Sequence, residues 1–555
     1  MKQYLQKFSA EALTWPLWNW QIFYHNWRTS TVGLLAHDEN GQRLVPHLQL
    51  ASESVKPRQG TLQRFSKQQL ASVAVGSLLL FTSVAPALQA GTITVTEPTI
   101  GGPNGCDLME AIHAANNEQD NDCIGTDNDP SINDADTILF ATSPGTISLT
   151  RSVSSINTPF HDNGLPVIIS DIAINGSPGG ITLTRASQDV FRILEVDGLG
   201  DRRGKLNLNH INIHNGAVNS PPIIPPSPYF TPMRYDYGGG LFIKDSAVVT
   251  ITNCTIASNR APGGGGIYVG DSSLLTVNNS TITLNKGIRS SRGGVSSGDG
   301  GGIFAHSSQV MVNSSTIDFN TTGRYGDGGG IYLNNSSQLT INQSAISFNK
   351  AGDFSGHGNG GGIYATDSSI VKIESSLIIS NEANGAFTTG GGLHVSDFSP
   401  AMINNSNITS NTAYFGGGIA ISASSVTVTN SSLLTNTAMM GSTLYNRSIY
   451  PILIENSCIV GNSNHAIHNH SKAMTITAQA NWWGSSDGPS GVFSGSGDGV
   501  GSRVDTSNFL TEPILGCPAA SPANTVAPDE DNVPTALDEH DEPFEGRIFL
   551  PVISR

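Results

Sequence analysis

The chain has 555 residues, 62 of them glycine, with 13% charged and 7% aromatic side chains. No Gly-X-Y period runs through it, which excludes collagen, and its length calls for several domains or one long repeat array. The 44 acidic and 28 basic residues give a net charge of −16, which speaks against nucleic acid or an anionic membrane surface as partner.

Residues 1–66 hold four of the six tryptophans (Trp15, Trp18, Trp20 and Trp27). This extension reads either as an extended targeting region or as sequence translated ahead of the true start, and it stays outside the fold argument. Residues 67–90 read as a secretory signal. Arg64 and Lys67 precede the apolar run Leu70–Ala85, and the small residues of APALQA follow. The run is shorter than the roughly 18–20 residues that span a bilayer, so no transmembrane anchor is expected there. Cleavage is expected after Ala90, with Ala87 as second choice. In an exported chain Cys106 and Cys123, 17 residues apart, are expected to pair.

From about residue 238 the chain repeats a glycine cluster, an aliphatic–aromatic strand, a Ser/Asn turn and a strand ending in Asn. The terminal asparagines are Asn259, Asn285, Asn320, Asn349, Asn381, Asn411, Asn436 and Asn462, spaced 26, 35, 29, 32, 30, 25 and 26. Three residues before each stands Ile or Leu: Ile256, Ile282, Ile317, Ile346, Ile378, Ile408, Leu433 and Ile459. The length variation therefore falls between each Asn and the next glycine cluster. Apolar residues alternate within a unit, as in Leu339/Ile341 and Ile346/Phe348. Period 2, with three short strands in units as short as 25 residues, predicts a β-solenoid. Propeller blades are longer, usually about 40–50 residues. Stacked coils bury the Ile/Leu columns, and the Asn columns hydrogen-bond along the axis. VIISDIAINGS (167–177) and GKLNLNHINIHNG (204–216) read as degenerate coils, and PPIIPPSPYFTP (221–232) as a Pro-rich loop.

The segment CDLMEAIHAANN (106–117), followed by Cys123 and Asp136-Thr-Ile-Leu-Phe140, resembles the N-terminal motif of bacterial secreted proteins with a CSLREA-type domain. Met109 stands at that family's arginine position. The GGGIY…N units resemble the repeats of right-handed parallel β-helix proteins, including polymorphic outer-membrane proteins, and NWWGSSDGPSG (481–491) is similar to a segment near the end of such helices. The resemblance implies an all-β, right-handed parallel β-helix and an extracytoplasmic place, and little about chemistry. On physical grounds EAIHAAN is a short amphipathic helix with Leu108, Ile112 and Ala115 on one face, suited to closing the end of the solenoid. The expected organisation is a cap at 91–140, a β-helix at 141–517, an acidic disordered linker at 518–546 and an apolar tail at 547–555. The tail is too short to form an outer-membrane barrel of its own.

Candidate chemistry lies in the variable loops of consecutive coils, at 286–299, 321–327, 350–359 and 382–389. They bring candidate catalytic residues Asp299, Asp327, Asp353, Arg324 and His357, and candidate binding residues Arg289, Arg292 and Tyr325. β-Helix lyases use acidic Ca²⁺ ligands with a basic proton acceptor, and related hydrolases use several aspartates. A solvated hydrophilic patch explains the same residues without chemistry. Asp120, Asp122, Asp127 and Asp129, with Asp134 and Asp136, form an oxygen-rich stretch for Ca²⁺, although no EF-hand frame is complete. Ordinary turn formation explains them without a metal and is the preferred reading. His465, His468 and His470 read as exposed polar residues, and Trp482 and Trp483 as packing over the last coils. Cys254 stands in a recurrent serine column and should be a buried thiol. Cys458 faces outward and is a candidate partner for Cys517. The reading that follows is a secreted or cell-surface, non-enzymatic scaffold that binds a glycan or surface partner and needs no cofactor. A Ca²⁺-dependent polysaccharide lyase or glycoside hydrolase using loops 286–389 is the first alternative. A structural envelope component is the second.

Overall fold

The computed structural model describes residues 91–101, 105–117, 123, 135–154, 162–198, 204–219, 236–289, 298–353 and 357–517. The proposed signal, the N-terminal extension, the acidic linker and the terminal tail lie outside these residues. The described strands form a parallel β-helix with three long sheets of 14, 11 and 12 strands. One short antiparallel pair, Val153–Ser154 with Asp162–Asn163, interrupts the parallel pattern. The first sheet already takes in Thr92–Val95 and Ala135–Phe140, so the segment 91–140 supplies strands as well as a helix.

Register is strict. In the first sheet Val249, Leu275, Val310, Leu339, Val371, Ala401, Val426 and Ile452 stand in one column, each opposite the next. In the second sheet the expected Ile/Leu column is fully buried in the same core. A fully buried Ile or Leu contributes about 1.5–3 kcal/mol by leaving water, and each column repeats that gain with every coil. A single coil has no inner partner, which is why the units are stable only as a stack.

Each of the three corners where the chain passes between sheets carries an inward-facing polar ladder. Between the second and third sheets it is the asparagine column. Each backbone N–H from Asn259 to Asn436 donates to the Oδ1 of the next coil's Asn at 2.9–3.0 Å. Each Nδ2 from Asn285 onward also donates to the carbonyl of an Ile or Leu in the preceding coil, as Asn285 does to Ile256. Between the first and second sheets, backbone N–H groups from Cys254 to Ser431 donate to the next coil's Ser Oγ. Between the third and first sheets, serines such as Ser369, Ser399, Ser424 and Ser448 repeat the device. Buried backbone donors need such partners wherever the sheet ladder stops at a corner.

The corners also break the alternation. Ile346 is buried, but Phe348 is half-exposed, against the sequence reading that put both on one face. At Phe348 φ is +53°, and this left-handed residue turns the chain so that the next residue, Asn349, points inward. The glycine clusters serve two needs. Gly328 has φ +63°, a region open to glycine. At Gly330 a Cβ would lie 2.7 Å from the Gly362 carbonyl and 3.0 Å from Asn349 Cγ, so the asparagine ladder leaves no room for a side chain.

Helix α1 (Leu108–Asn117) starts with a capping box. Asp107 Oδ1 accepts from the N–H groups of Met109 and Glu110, and the Asp107 N–H donates to Glu110 Oε2 at 2.9 Å. Leu108, Ala111, Ile112 and Ala115 enter the core beside Ile93 and Ile138. Asn116 ties the helix to the solenoid through Val167 and Ile169. Cys106 pairs with Cys123, and Cys458 with Cys517. Cys254 is a buried free thiol, its pKa raised by burial. Near the C-terminal end Leu510 and Ile514 pack over Cys458, Val460 and Trp482. Among the described residues no helix is long and apolar enough to cross a membrane.

Candidate functional site

The loops after the asparagine ladder do lie side by side. The backbone of Gly323 sits against Ile288 and Arg289, and the Gly352 N–H donates to Thr322 Oγ1 at 2.8 Å. Arg324 lies over the Tyr325 ring at 4.9 Å, and His357 stands 6.2 Å from the same ring. Arg289, Arg324, Tyr325 and His357 are exposed, and Asp353 is half-buried. Arg292, Asp120, Asp122, Asp127 and Asp129 lie outside the described residues.

Asp299 and Asp327 form a second group, in the column just before the glycine clusters. Asp299 Oδ1 accepts from the Asp327 N–H at 3.0 Å, and Asp327 Oδ1 accepts from the Asn359 N–H at 2.6 Å. Asn359 Oδ1 accepts in turn from Thr389. The carboxylates therefore begin a further ladder, continued by an amide. Desolvation, and then the Asp299 charge, push the Asp327 carboxyl up to about 8, against the hydrogen bonds from Asn359. The pair borders an aromatic column on the outer side of the third sheet. Phe304, Tyr332, Tyr364 and His394 follow one another at 4.9–5.4 Å. Burial first, then Asp299, holds the Tyr332 phenol protonated well above its ordinary range. His394 is pushed down to about 4 by burial. Among the described residues no group of three or more His, Cys, Asp or Glu converges to hold a metal.

The outer side of the second-to-third corner was missed by sequence reasoning. Two columns flank the inward asparagines there. The residue before each Asn is left-handed, with φ of 50–57° for Ser258, Leu284, Phe319 and Phe348, and Asn215 and Arg185 extend this column upstream. Leu284, Phe319 and Phe348 are 59, 48 and 50% exposed, and the two rings stack at 5.0 Å. Further on, the same column holds Ser380, Ser410 and Thr435. The residue after each Asn gives Arg260, Lys286, Thr321 and Lys350 in register. Lys350 is paired with Glu382 at 3.2 Å. The signal lay in the sequence as Leu284-Asn-Lys286 and Phe348-Asn-Lys350, but period-2 alternation hid which residues face out.

At the upstream end of these columns Arg185, Asn215, Gly216, Ser258 and Arg260 line an open groove of about 320 Å³. Burial, and then the nearby Arg260 charge, lower the Arg185 pKa. By contrast the buried Arg192, 4.4 Å over the Phe242 ring, is paired with Glu195 at 3.0 Å. His468 is less exposed than expected because its ring stacks on Tyr445 at 5.6 Å, and burial pushes its pKa down to about 4. Trp483 is in the core and Trp482 beneath the Cys517 segment, so neither presents a platform.

Residues 232–399 match a family model described as a right-handed β-helix region, which takes in the corner from Asn259 to Asn381. The fold is thus an all-β, right-handed parallel β-helix. No curated protein matches the chain.

Proposed function

We propose that the chain is an exported surface scaffold, without catalysis, that binds a glycan along the outer side of the second-to-third corner. The observation that carries this reading is the in-register strip Leu284, Phe319 and Phe348. A bulky residue in left-handed backbone costs about 1–2 kcal/mol, and an exposed ring returns little hydrophobic energy. Stacking of the two rings offsets part of that. Folding is served as well by the serines and threonine of the later coils, so the strip is better explained by a ligand whose apolar face covers it. Tyr325 and Arg289, exposed on the loops that follow Thr321 and Lys286, are further candidate contacts. Two disulfides fit an oxidising, extracytoplasmic place, and the CSLREA-type resemblance points the same way.

Hydrolysis or elimination by the loop carboxylates is less favoured. Asp299 and Asp327 each spend one oxygen holding the next coil's backbone, and Arg324 lies on Tyr325. A polysaccharide panel tests the reading, scoring retention by affinity electrophoresis beside reducing-end release and unsaturated-product absorbance. Retention without turnover is expected, with Phe319→Ser weakening it about tenfold or more at unchanged melting temperature. Turnover abolished by Asp327→Ala would overturn the proposal.

A further inference from the structure

Three cations stand at the upstream end of the second-to-third corner of a chain whose net charge is −16. Arg185 and Arg260 line one groove, and Lys286 stands in register beside Arg260 in the next coil. The groove lining contains no carboxylate. Among the described residues no Asp or Glu pairs with Arg185, Arg260 or Lys286, as is also true of the exposed Arg289 and Arg324, whereas Arg192, Lys205, Lys244 and Lys350 pair with acids.

Arg185 is held in place by carbonyls. Its Nε donates to the Asn215 oxygen at 2.8 Å, and Nη1 donates to the oxygens of Ser187 and Asp189. These contacts fix the guanidinium and neutralise none of its charge. The Arg185 guanidinium also lies over the Phe191 ring at 5.9 Å, but its Nη2 donates to no protein acceptor among the described residues, and neither does the exposed guanidinium of Arg260. Two arginines kept close without an acid repel one another, a cost that folding does not need. An oxyanion between them removes it, because guanidinium N–H groups match carboxylate and sulfate oxygens in charge and geometry.

We infer that the Arg185–Arg260 groove binds the carboxylate or sulfate group of an acidic saccharide whose apolar ring faces lie on Leu284 and Phe319. The second half of this inference rests on the glycan-binding reading above. The groove and the strip share one column, Arg185, Asn215, Ser258, Leu284, Phe319, Phe348. A ligand with an oxyanion at one point and apolar faces along its length is complementary to both, and a free inorganic anion would leave the strip uncovered.

The test uses the purified full chain and three oligosaccharides of equal length: oligogalacturonate, dextran sulfate and neutral dextran. Calorimetry at low and at physiological salt is expected to show at least one acidic oligomer binding about tenfold or more tighter than the neutral one, with the advantage shrinking in salt. The oligomer that binds tells carboxylate from sulfate. Arg260→Ser, on an exposed side chain, and Arg185→Gln should each remove about tenfold of that advantage, and Lys372→Ser, on the outer side of the first sheet, none. Equal affinity for acidic and neutral oligomers, or acidic affinity indifferent to Arg260→Ser, would overturn the anion groove. If Phe319→Ser still abolished neutral binding in that case, the glycan face would stand alone. Failure of all three oligomers to bind would sink both.

Discussion

Two corners of this solenoid use the same backbone and carry opposite surfaces. Between the second and third sheets, left-handed residues at φ of 50–57° place Leu284, Phe319 and Phe348 outward, beside Arg260, Lys286 and Lys350. Between the third and first sheets, left-handed residues at φ of 48–58° place Asp245, Asp271, Asn335, Asp367 and Asp397 outward. Asp and Asn tolerate that conformation well, and Phe and Leu do not. Phe398, at φ +62° and 61% exposed beside Tyr450, is the exception in the acidic corner, which otherwise follows local backbone preference, whereas the apolar, basic one runs against it. Where sequence contradicts local preference without a gain in packing, a binding role is the natural explanation.

The two corners also differ inside, and the difference is measurable. Asn349→Ala should be the costliest change. It strips the acceptor from the Asn320 N–H and Nδ2 and the donor from the Ile317 carbonyl, three buried groups at once. At about 1–3 kcal/mol for each unsatisfied group, with partial relaxation, a loss of about 3–5 kcal/mol is expected by chemical denaturation. Ser399→Ala, in the corner between the third and first sheets, removes one acceptor from the Ser369 N–H and should cost about 1 kcal/mol. Equal losses at the two sites would show that the amide column holds nothing extra.

The smallest effect is a slope with pH. Burial and Asp299 hold the Asp327 carboxyl at about 8, far above an unfolded aspartate. Its protonated form is the one the fold prefers, so the stability it contributes is present below about pH 4 and is lost as pH rises towards 8. Asp327→Asn keeps an Oδ1 for the Asn359 N–H, as Asn359 itself does for Thr389. The variant should melt with a flatter pH dependence and gain on the parent at pH 8. Parallel curves would show Asp327 to be ionised at ordinary pH. Its partial exposure keeps the effect modest.

The coil core was readable in the sequence because burial repeats with the coil. The Ile/Leu column and the asparagines need only counting, and the third glycine of each cluster pairs with the Asn it packs on. Phe348 was misread because a left-handed corner changes parity between Ile346 and Asn349, and no alternating template contains that step. The Arg185–Arg260 groove was invisible for another reason. Arg185 and Ser258 share a column across coils of 30 and 43 residues, with the Pro-rich loop between them, so spacing alone could not align them. Of the loop residues, Arg324, Tyr325 and His357 gather as adjacency suggested. Asp299 and Asp327 meet in a turn ladder, a role that residue type does not announce.

The asparagine column has two chemically different end groups. Gly216 opens it with a backbone donor and no side-chain acceptor, giving its N–H to Asn259 Oδ1. Asp498 closes it, accepting from the Gly461 N–H and from both nitrogens of Asn462. Each coil leaves a donor pair that the next coil must meet with a side-chain oxygen, and an amide that meets it presents a new pair in turn, so the column propagates. A carboxylate accepts and passes nothing on. Asp498 is thus a chain terminator written into the side chains, and an amide in its place would hand the growth signal to whatever surface came next.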